Sequence, residues 1–185
     1  IRLVESAVDH YLVCDRSGAC AVIELLDGKM VYRTGEDLPV KVLTNNLYSE
    51  SSKTWKESLS NGNLPEDNSL WRFSMAANRL KAFIPSKPEQ AVAYAFDTLA
   101  AVSRQDTVWS FVFDPVGLRV HFRTNHNPRI RYLDLSNLDF SCRNPVRMLN
   151  VHADIAGDVR DEFVAYTHAR GYAHSIRFFK EYADA

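Results

Sequence analysis

Two turn signals in quick succession, Asp15-Arg16-Ser17-Gly18 and Asp27-Gly28, constrain the fold of this chain more than any other feature. Tyr11-Leu12-Val13-Cys14 precedes the first, Ala21-Val22-Ile23-Glu24-Leu25-Leu26 lies between them, and Lys29-Met30-Val31-Tyr32 follows the second. Apolar runs flanking such turns predict hairpins, and Asp-Gly suits the tightest kind because both residues tolerate positive φ. Val40-Lys41-Val42-Leu43 reads as a fourth strand that runs straight into Thr44-Asn45-Asn46. Four short strands this close together predict an antiparallel sheet.

The middle of the chain changes character. Ser49 to Ser69 is polar, with Asn61-Gly62-Asn63 and Pro65, and is expected to be loop-rich with a short helix around Lys53 to Leu59. Met75 to Phe83 has the composition of a helix. Pro88 sits where a second helix can begin, and Val92, Phe96 and Leu99 recur at helical spacing through Glu89 to Val102. Ile84-Pro85-Ser86-Lys87 would join the two as a helical hairpin. Strands return with Thr107 to Phe113, a turn at Asp114-Pro115-Val116-Gly117, and a strand in which Leu118, Val120 and Phe122 alternate with Arg119, His121 and Arg123. Ile130 to Leu135 reads as a third strand. Asp158 to Tyr182 is expected to be mostly helical, with a break at Gly171. Strands and helices in blocks give the class α+β.

Composition narrows the function. The 185 residues fit one domain, and 46% hydrophobic with 24% charged residues is ordinary for a globular protein. With 22 basic and 23 acidic residues, the net charge of -1 gives no bulk attraction to nucleic acid or an anionic membrane. Arg119, Arg123, Arg129, Arg131, Arg143 and Arg147 cluster near aromatic residues. Asp114, Asp134 and Asp139 interleave with them, which favours a solvated mixed-charge sheet edge over an RNA-binding face. No apolar run approaches the roughly 20 residues that span a bilayer. His168 and His174 would lie about 120° apart on a helix, and His121 and His126 lie across a strand end, so no metal site is expected. Cys14, Cys20 and Cys142 make no metal pattern. A bond between Cys14 and Cys20 is sterically possible but geometrically demanding, and three partly buried free thiols are the expectation. Ile1-Arg2-Leu3-Val4 reads like the middle of a protein, as in a fragment or one chain of a cleaved precursor.

Two residues stand out for chemistry. A carboxamide at a strand end, as in Asn45, is a neutral donor suited to a developing oxyanion, although the Asn pair also reads as a turn or helix cap. Arg79 sits on an otherwise apolar or small helix face, where a guanidinium can lower the pKa of a nearby thiol. A solvated helix arginine is the plainer reading. There is no phosphate-cradling Gly-rich loop and no Gly-x-Ser-x-Gly elbow.

From His10 to about Leu149 the chain resembles the rear part of the linear amide C–N hydrolases, the choloylglycine hydrolase family of penicillin V acylases and bile salt hydrolases. The carriers are HYLVCDRSG with AVIELLDGK, then VLTNN, ANRLKAF, TVWSFVFDPVGLRVHF and IRYLDLSNLDF. The resemblance implies an N-terminal-nucleophile hydrolase with a four-layer αββα sandwich of antiparallel sheets, residues 1–185 being the C-terminal portion of that single domain. A Cys exposed by processing attacks an amide carbonyl and an acyl-enzyme forms and hydrolyses, without metal or cofactor. It further implies Asn45 as the oxyanion-hole asparagine, Asn46 at the substrate, and Arg79 as the arginine near the nucleophile, in a segment comparable to the family's Ser-Arg-Phe. Two departures are visible: Asn46-Leu47 stands where a small residue followed by Pro is common, and Asn78-Arg79-Leu80 replaces Ser-Arg-Phe.

The nucleophile is expected in a missing N-terminal segment, or a second chain, and Cys14, Cys20 and Cys142 do not replace it. The expected substrate is a small-molecule amide, the chain alone is expected to be inactive, and a homo-oligomer is expected. A periplasmic or secreted setting is favoured over a cytoplasmic one. The competing reading is a non-catalytic binding or interaction module with the same fold.

Overall fold

The first two hairpins form as the turn signals require. In the computed structural model, which describes residues 10–84, 87–173 and 176, β1 (His10–Cys14), β2 (Cys20–Leu26) and β3 (Lys29–Thr34) make an antiparallel sheet in the order β1-β2-β3. Asp27 and Gly28 both take positive φ, at 50° and 72°, as a two-residue turn of this hand demands. In the first turn the Asp15 carboxylate accepts from the backbone N–H of Ser17 (2.8 Å) and Ala19 (3.1 Å) and from the Ser17 hydroxyl (2.7 Å). Those bonds, the Ser17 hydroxyl first, hold its carboxyl below the ordinary range.

The register places Cys14 directly opposite Cys20, their Cα atoms 4.1 Å apart, and the two form a disulfide. The expectation of three free, partly buried thiols is therefore corrected. Pairing supplies the geometry that spacing alone left demanding, and Cys142, the remaining thiol, is exposed.

The chain divides into two compact units, Ile1–Asp106 and Thr107–Ala185. In the first, three helices follow the sheet: α1 (Tyr48–Asn61), α2 (Asn68–Ala82) and α3 (Pro88–Ala101). Residues 85 and 86, inside the expected helical connection, lie outside the described residues. α1 is far longer than the short helix expected around Lys53 to Leu59. Its inner positions are mainly serines (Ser51, Ser52 and Ser58), with Tyr48 and Trp55, so little apolar periodicity shows in the sequence. Gly62 ends it at φ 75°, its N–H bonded to the Ser58 carbonyl, and Asp67 caps α2 by accepting from Leu70 N–H at 2.9 Å. The core joins Val22 of the sheet to Leu38, Val40 and Val42, then to Tyr48 and Trp55 of α1 and to Phe73, Ala76 and Ala77 of α2. The opposite sheet face leaves Tyr11, Val13, Met30 and Tyr32 exposed.

Residues 40–43 do not form the expected fourth strand. Val40 and Val42 do point into the core, which gives the alternation read from the sequence. The backbone of Val40, however, is occupied by a side chain. Its N–H donates to the Tyr48 hydroxyl (3.3 Å), and that hydroxyl donates to its carbonyl (2.9 Å). Burial pushes the Tyr48 phenol above its ordinary pKa, so the hydroxyl keeps the proton it donates.

The second unit is a four-stranded sheet in the order β4-β5-β6-β8, with β4 (Trp109–Asp114), β5 (Arg119–Thr124) and β6 (Arg131–Asp134) antiparallel. A two-stranded ribbon pairs β7 (Arg147–Met148) with β9 (Val164–Ala165), and β8 (Gly157–Asp158) runs parallel to β6. The expected helix from Asp158 is corrected accordingly. Short pairings and a 3₁₀ turn at Arg160–Glu162 occupy its start, and helix appears over residues 168–173, through Gly171 rather than breaking there. His174 and residues 177–182 lie outside the described residues. Arg119 forms a two-pronged ion pair with Asp134 and lies 4.5 Å from the Tyr132 ring centre. Arg131 is fully buried beside Phe122, its guanidinium donating to the carbonyls of Val151, Asn127 and Arg129.

Candidate active site

The segment carrying Thr44-Asn45-Asn46 has no regular secondary structure, yet it is held at several points. The Thr44 hydroxyl donates to the Ser69 carbonyl (3.1 Å), and Asn46 N–H donates to the Ser69 hydroxyl (3.2 Å), tying the segment to the first turn of α2. Asn46 Nδ2 donates to Glu50 Oε2 at 3.1 Å. Tyr48 N–H donates to Glu24 Oε1 at 2.7 Å.

Asn45, between these anchors, is exposed. Its Oδ1 accepts from the Arg72 guanidinium at 3.4 Å, while Arg72 Nε donates to Asn68 Oδ1 at 3.0 Å. Chemistry fixes the orientation of this amide. A guanidinium has only donors, so the Asn45 atom facing it is the carbonyl oxygen and the NH2 faces away. That NH2 has no hydrogen-bond partner among the described residues.

Arg79 is engaged elsewhere. Its Nε donates to Thr98 Oγ1 (3.1 Å), its guanidinium lies 5.2 Å from the Tyr94 ring centre, and its carbonyl accepts from the Tyr94 hydroxyl (2.6 Å). It therefore clasps α2 to α3. Arg72 and Arg79 share a helix face but stand two turns apart, about 10 Å along the axis. The structure brings Asn45 together with Arg72. One sequence signal pointed to it: Trp71-Arg72-Phe73 keeps the Arg-Phe pair of Ser-Arg-Phe, which Asn78-Arg79-Leu80 lacks.

A shallow polar hollow of about 530 Å³ lies at the same end of α2, lined by Asn68, Ser103, Arg104, Gln105 and Asp106. Arg104 grips Asp106 through two bonds (2.8 and 3.1 Å). That pairing, with a lesser contribution from the Arg72 charge, holds the Asp106 carboxyl below its ordinary range. Another hollow, about 510 Å³, flanks the Asp15–Gly18 turn, where Lys41 donates its ammonium to the Gly18 carbonyl at 2.6 Å. Among the described residues no three His, Cys, Asp or Glu side chains gather as a metal would need, and no helix is long and apolar enough to cross a membrane.

No protein-family model matches the sequence, and no curated protein matches it either. Solved structures do. A penicillin V acylase from Agrobacterium tumefaciens is similar over 85% of this chain with a TM-score of 0.71 and 23% identity. Two variants of conjugated bile acid hydrolase from Clostridium perfringens are similar over 86% of it, with TM-scores of 0.57 and 0.56 and 15% identity. The chain spans 56% of the acylase and 54% of the hydrolases. The resemblance read from the sequence, to penicillin V acylase and bile acid hydrolase, is the likeness found among solved structures.

Proposed function

We propose that the full-length protein carrying this chain hydrolyses a linear amide C–N bond with an N-terminal cysteine nucleophile, its two units belonging to a four-layer αββα sandwich. The thiolate adds to the amide carbonyl, the oxyanion collapses to expel the amine, and water cleaves the resulting thioester. This chain supplies the oxyanion donor. Asn45 presents a free NH2 from an anchored segment, and a neutral donor held in place beforehand stabilises charge as it develops. Arg72 fixes that orientation and, by bonding the carbonyl oxygen, polarises the amide toward stronger donation. The cationic role read first for Arg79 goes to Arg72, because the Arg79 guanidinium is committed to Thr98 and Tyr94. Asn46, tethered by Glu50, flanks the substrate. The observation that carries the reading is the pairing of Asn45 Oδ1 with Arg72.

The nucleophile comes from outside this chain. Cys14 and Cys20 are bonded to each other, and Cys142 is an exposed thiol of the other unit. The chain alone is therefore inactive. A disulfide fits a periplasmic or secreted setting, and recovery of Cys14 and Cys20 as free thiols from the native source would remove that support. The open sheet face of Tyr11, Val13, Met30 and Tyr32 fits coverage by the remainder of the protein or a second chain. We expect a homo-oligomer, and light scattering on the full-length protein that gives a single chain mass would count against it.

In the full-length protein, Asn45→Ala should lower kcat by about 10²–10³-fold, the usual effect of losing one oxyanion donor. Turnover within twofold of wild type would sink the assignment. A processed N-terminus other than Cys would favour a binding module of the same fold.

A further inference from the structure

We propose that Glu24 is the positioning residue for Asn45, acting through the first turn of α1; the proposal rests on the oxyanion role given to Asn45. Glu24 lies in the middle of β2 and is 0% exposed, in the unit's core beside Val22. A carboxylate there is expensive to bury and needs its oxygens satisfied. They are satisfied only in part. Oε2 has no hydrogen-bond partner among the described residues, and the nearest cation, Arg33 Nε, stands 3.6 Å away and is likewise unbonded. Such a loose pair is a poor source of stability. Its cross-strand neighbour His10 leaves Nδ1 without a partner as well.

What Glu24 does hold is specific. Oε1 accepts the N–H of Tyr48, the first residue of α1, at 2.7 Å. The residue at the cap position is Leu47, whose side chain accepts no bond. Helix N-termini leave their first N–H groups without partners, and a carboxylate also favours the positive end of the helix dipole. Glu24 thus caps α1 from the sheet, a residue far away in sequence doing what Asp67 does locally for α2. The consequence reaches the site because Tyr48 follows Thr44-Asn45-Asn46 closely. Its N–H is fixed by Glu24, its hydroxyl fixes Val40, and Ser69 fixes Thr44 and Asn46. With both ends set, Asn45 can reach only a small region beside Arg72. Removing Glu24 takes away the backbone anchor at Tyr48 and leaves the downstream end to the Asn46 bonds with Ser69 and Glu50 and to the Tyr48 hydroxyl.

The experiment uses the full-length protein and reads position and activity separately. Glu24→Asp keeps the charge but withdraws the carboxylate by about 1.5 Å, one C–C bond. Glu24→Leu removes the acceptor. Both should speed hydrogen exchange at the Tyr48 amide and shift the Asn45 side-chain NH2 resonance. Both should also lower kcat by on the order of tenfold or more with KM little changed, since small misplacement of a catalytic group is costly. Glu24→Gln, which still offers an oxygen to Tyr48, should recover activity to within about threefold, given that the acceptor is what matters. Unchanged Tyr48 exchange and Asn45 resonance in Glu24→Asp would overturn the proposal even if Glu24→Leu failed to fold. Losses equal in Glu24→Gln and Glu24→Leu would overturn it too. A shifted Asn45 resonance with unaltered kcat would leave the positioning role standing and overturn the oxyanion reading instead.

Discussion

Each unit contains an irregular segment held in place by a buried polar side chain, and the two are held in opposite ways. In the first, Glu24 accepts from the backbone at the end of residues 41–47, and Tyr48 and Ser69 add further bonds. In the second, Arg131 donates to the carbonyls of Val151, Asn127 and Arg129, while Asn127 Nδ2 donates to those of Ala153 and Ile155 at 2.7 and 2.9 Å. Both devices satisfy backbone groups that a loop cannot pair with itself. They differ in what remains. The second spends the donors of Asn127 on its own backbone. The first leaves one amide, that of Asn45, directed outward. An anchored loop becomes a candidate site only where anchoring leaves a polar group to spare.

The comparison can be broken most forcefully in the second unit. Arg131→Met should destabilise it by at least about 3 kcal/mol, because several carbonyls lose their donor and each buried acceptor left unpaired costs about 1–3 kcal/mol. Urea unfolding of the full-length protein, followed by a probe in this unit, measures it. A loss under 1 kcal/mol would mean water replaces the guanidinium and that Arg131 does not hold the loop.

A smaller effect sharpens the first unit. Arg72→Met should lower kcat by roughly tenfold, about 1.4 kcal/mol in the barrier, through loss of the bond that orients Asn45. Arg79→Met should lower stability by about 1 kcal/mol, since it removes one hydrogen bond and a ring contact, and should leave kcat within twofold. Kinetics and thermal unfolding of both variants decide between the arginines. The reverse pattern would return the cationic role to Arg79.

The sequence made the hairpins legible because turn chemistry and period-two alternation are local. β1 to β6 follow runs that could be read directly. It could not reveal that the alternation of Val40 and Val42 belongs to a chain clasped by Tyr48, since the competing partner is a hydroxyl eight residues on. Nor could it reveal α1 in full, where serines occupy inner positions that a periodicity reading expects to be apolar. The disulfide depended on register, which spacing does not specify. At the site, Asn45 was legible only by resemblance. Arg72 went unread although Trp71-Arg72-Phe73 carries the Arg-Phe pair, because only the tertiary contact shows that it meets Asn45. Glu24 looked like an ordinary strand residue. The bond that gives it meaning joins it to a backbone group 24 positions away.

The smallest effect concerns how the second unit treats its cations. Arg131 stays charged in the interior: burial, and then the charge of Arg129, lower its pKa, but a guanidinium has ample room to fall. A histidine has none. His121, on β5, is pushed below its usual 6.5 first by burial and then by the charge of Arg119, with Asp114 and Asp134 pulling the other way. The folded state therefore binds this proton less readily than the unfolded state does. Above pH 6.5 the ring is neutral in both states and its contribution is complete. As pH falls from 6.5 toward the lowered folded value, the unfolded chain takes up a proton before the folded one does, so that stability is lost over that interval. Urea titrations of the full-length protein across this range should show a decline toward acid that is shallower in His121→Gln. Equal slopes would mean that the sheet of the second unit tolerates a charged ring, and that its burial of positive charge is general rather than a property of Arg131.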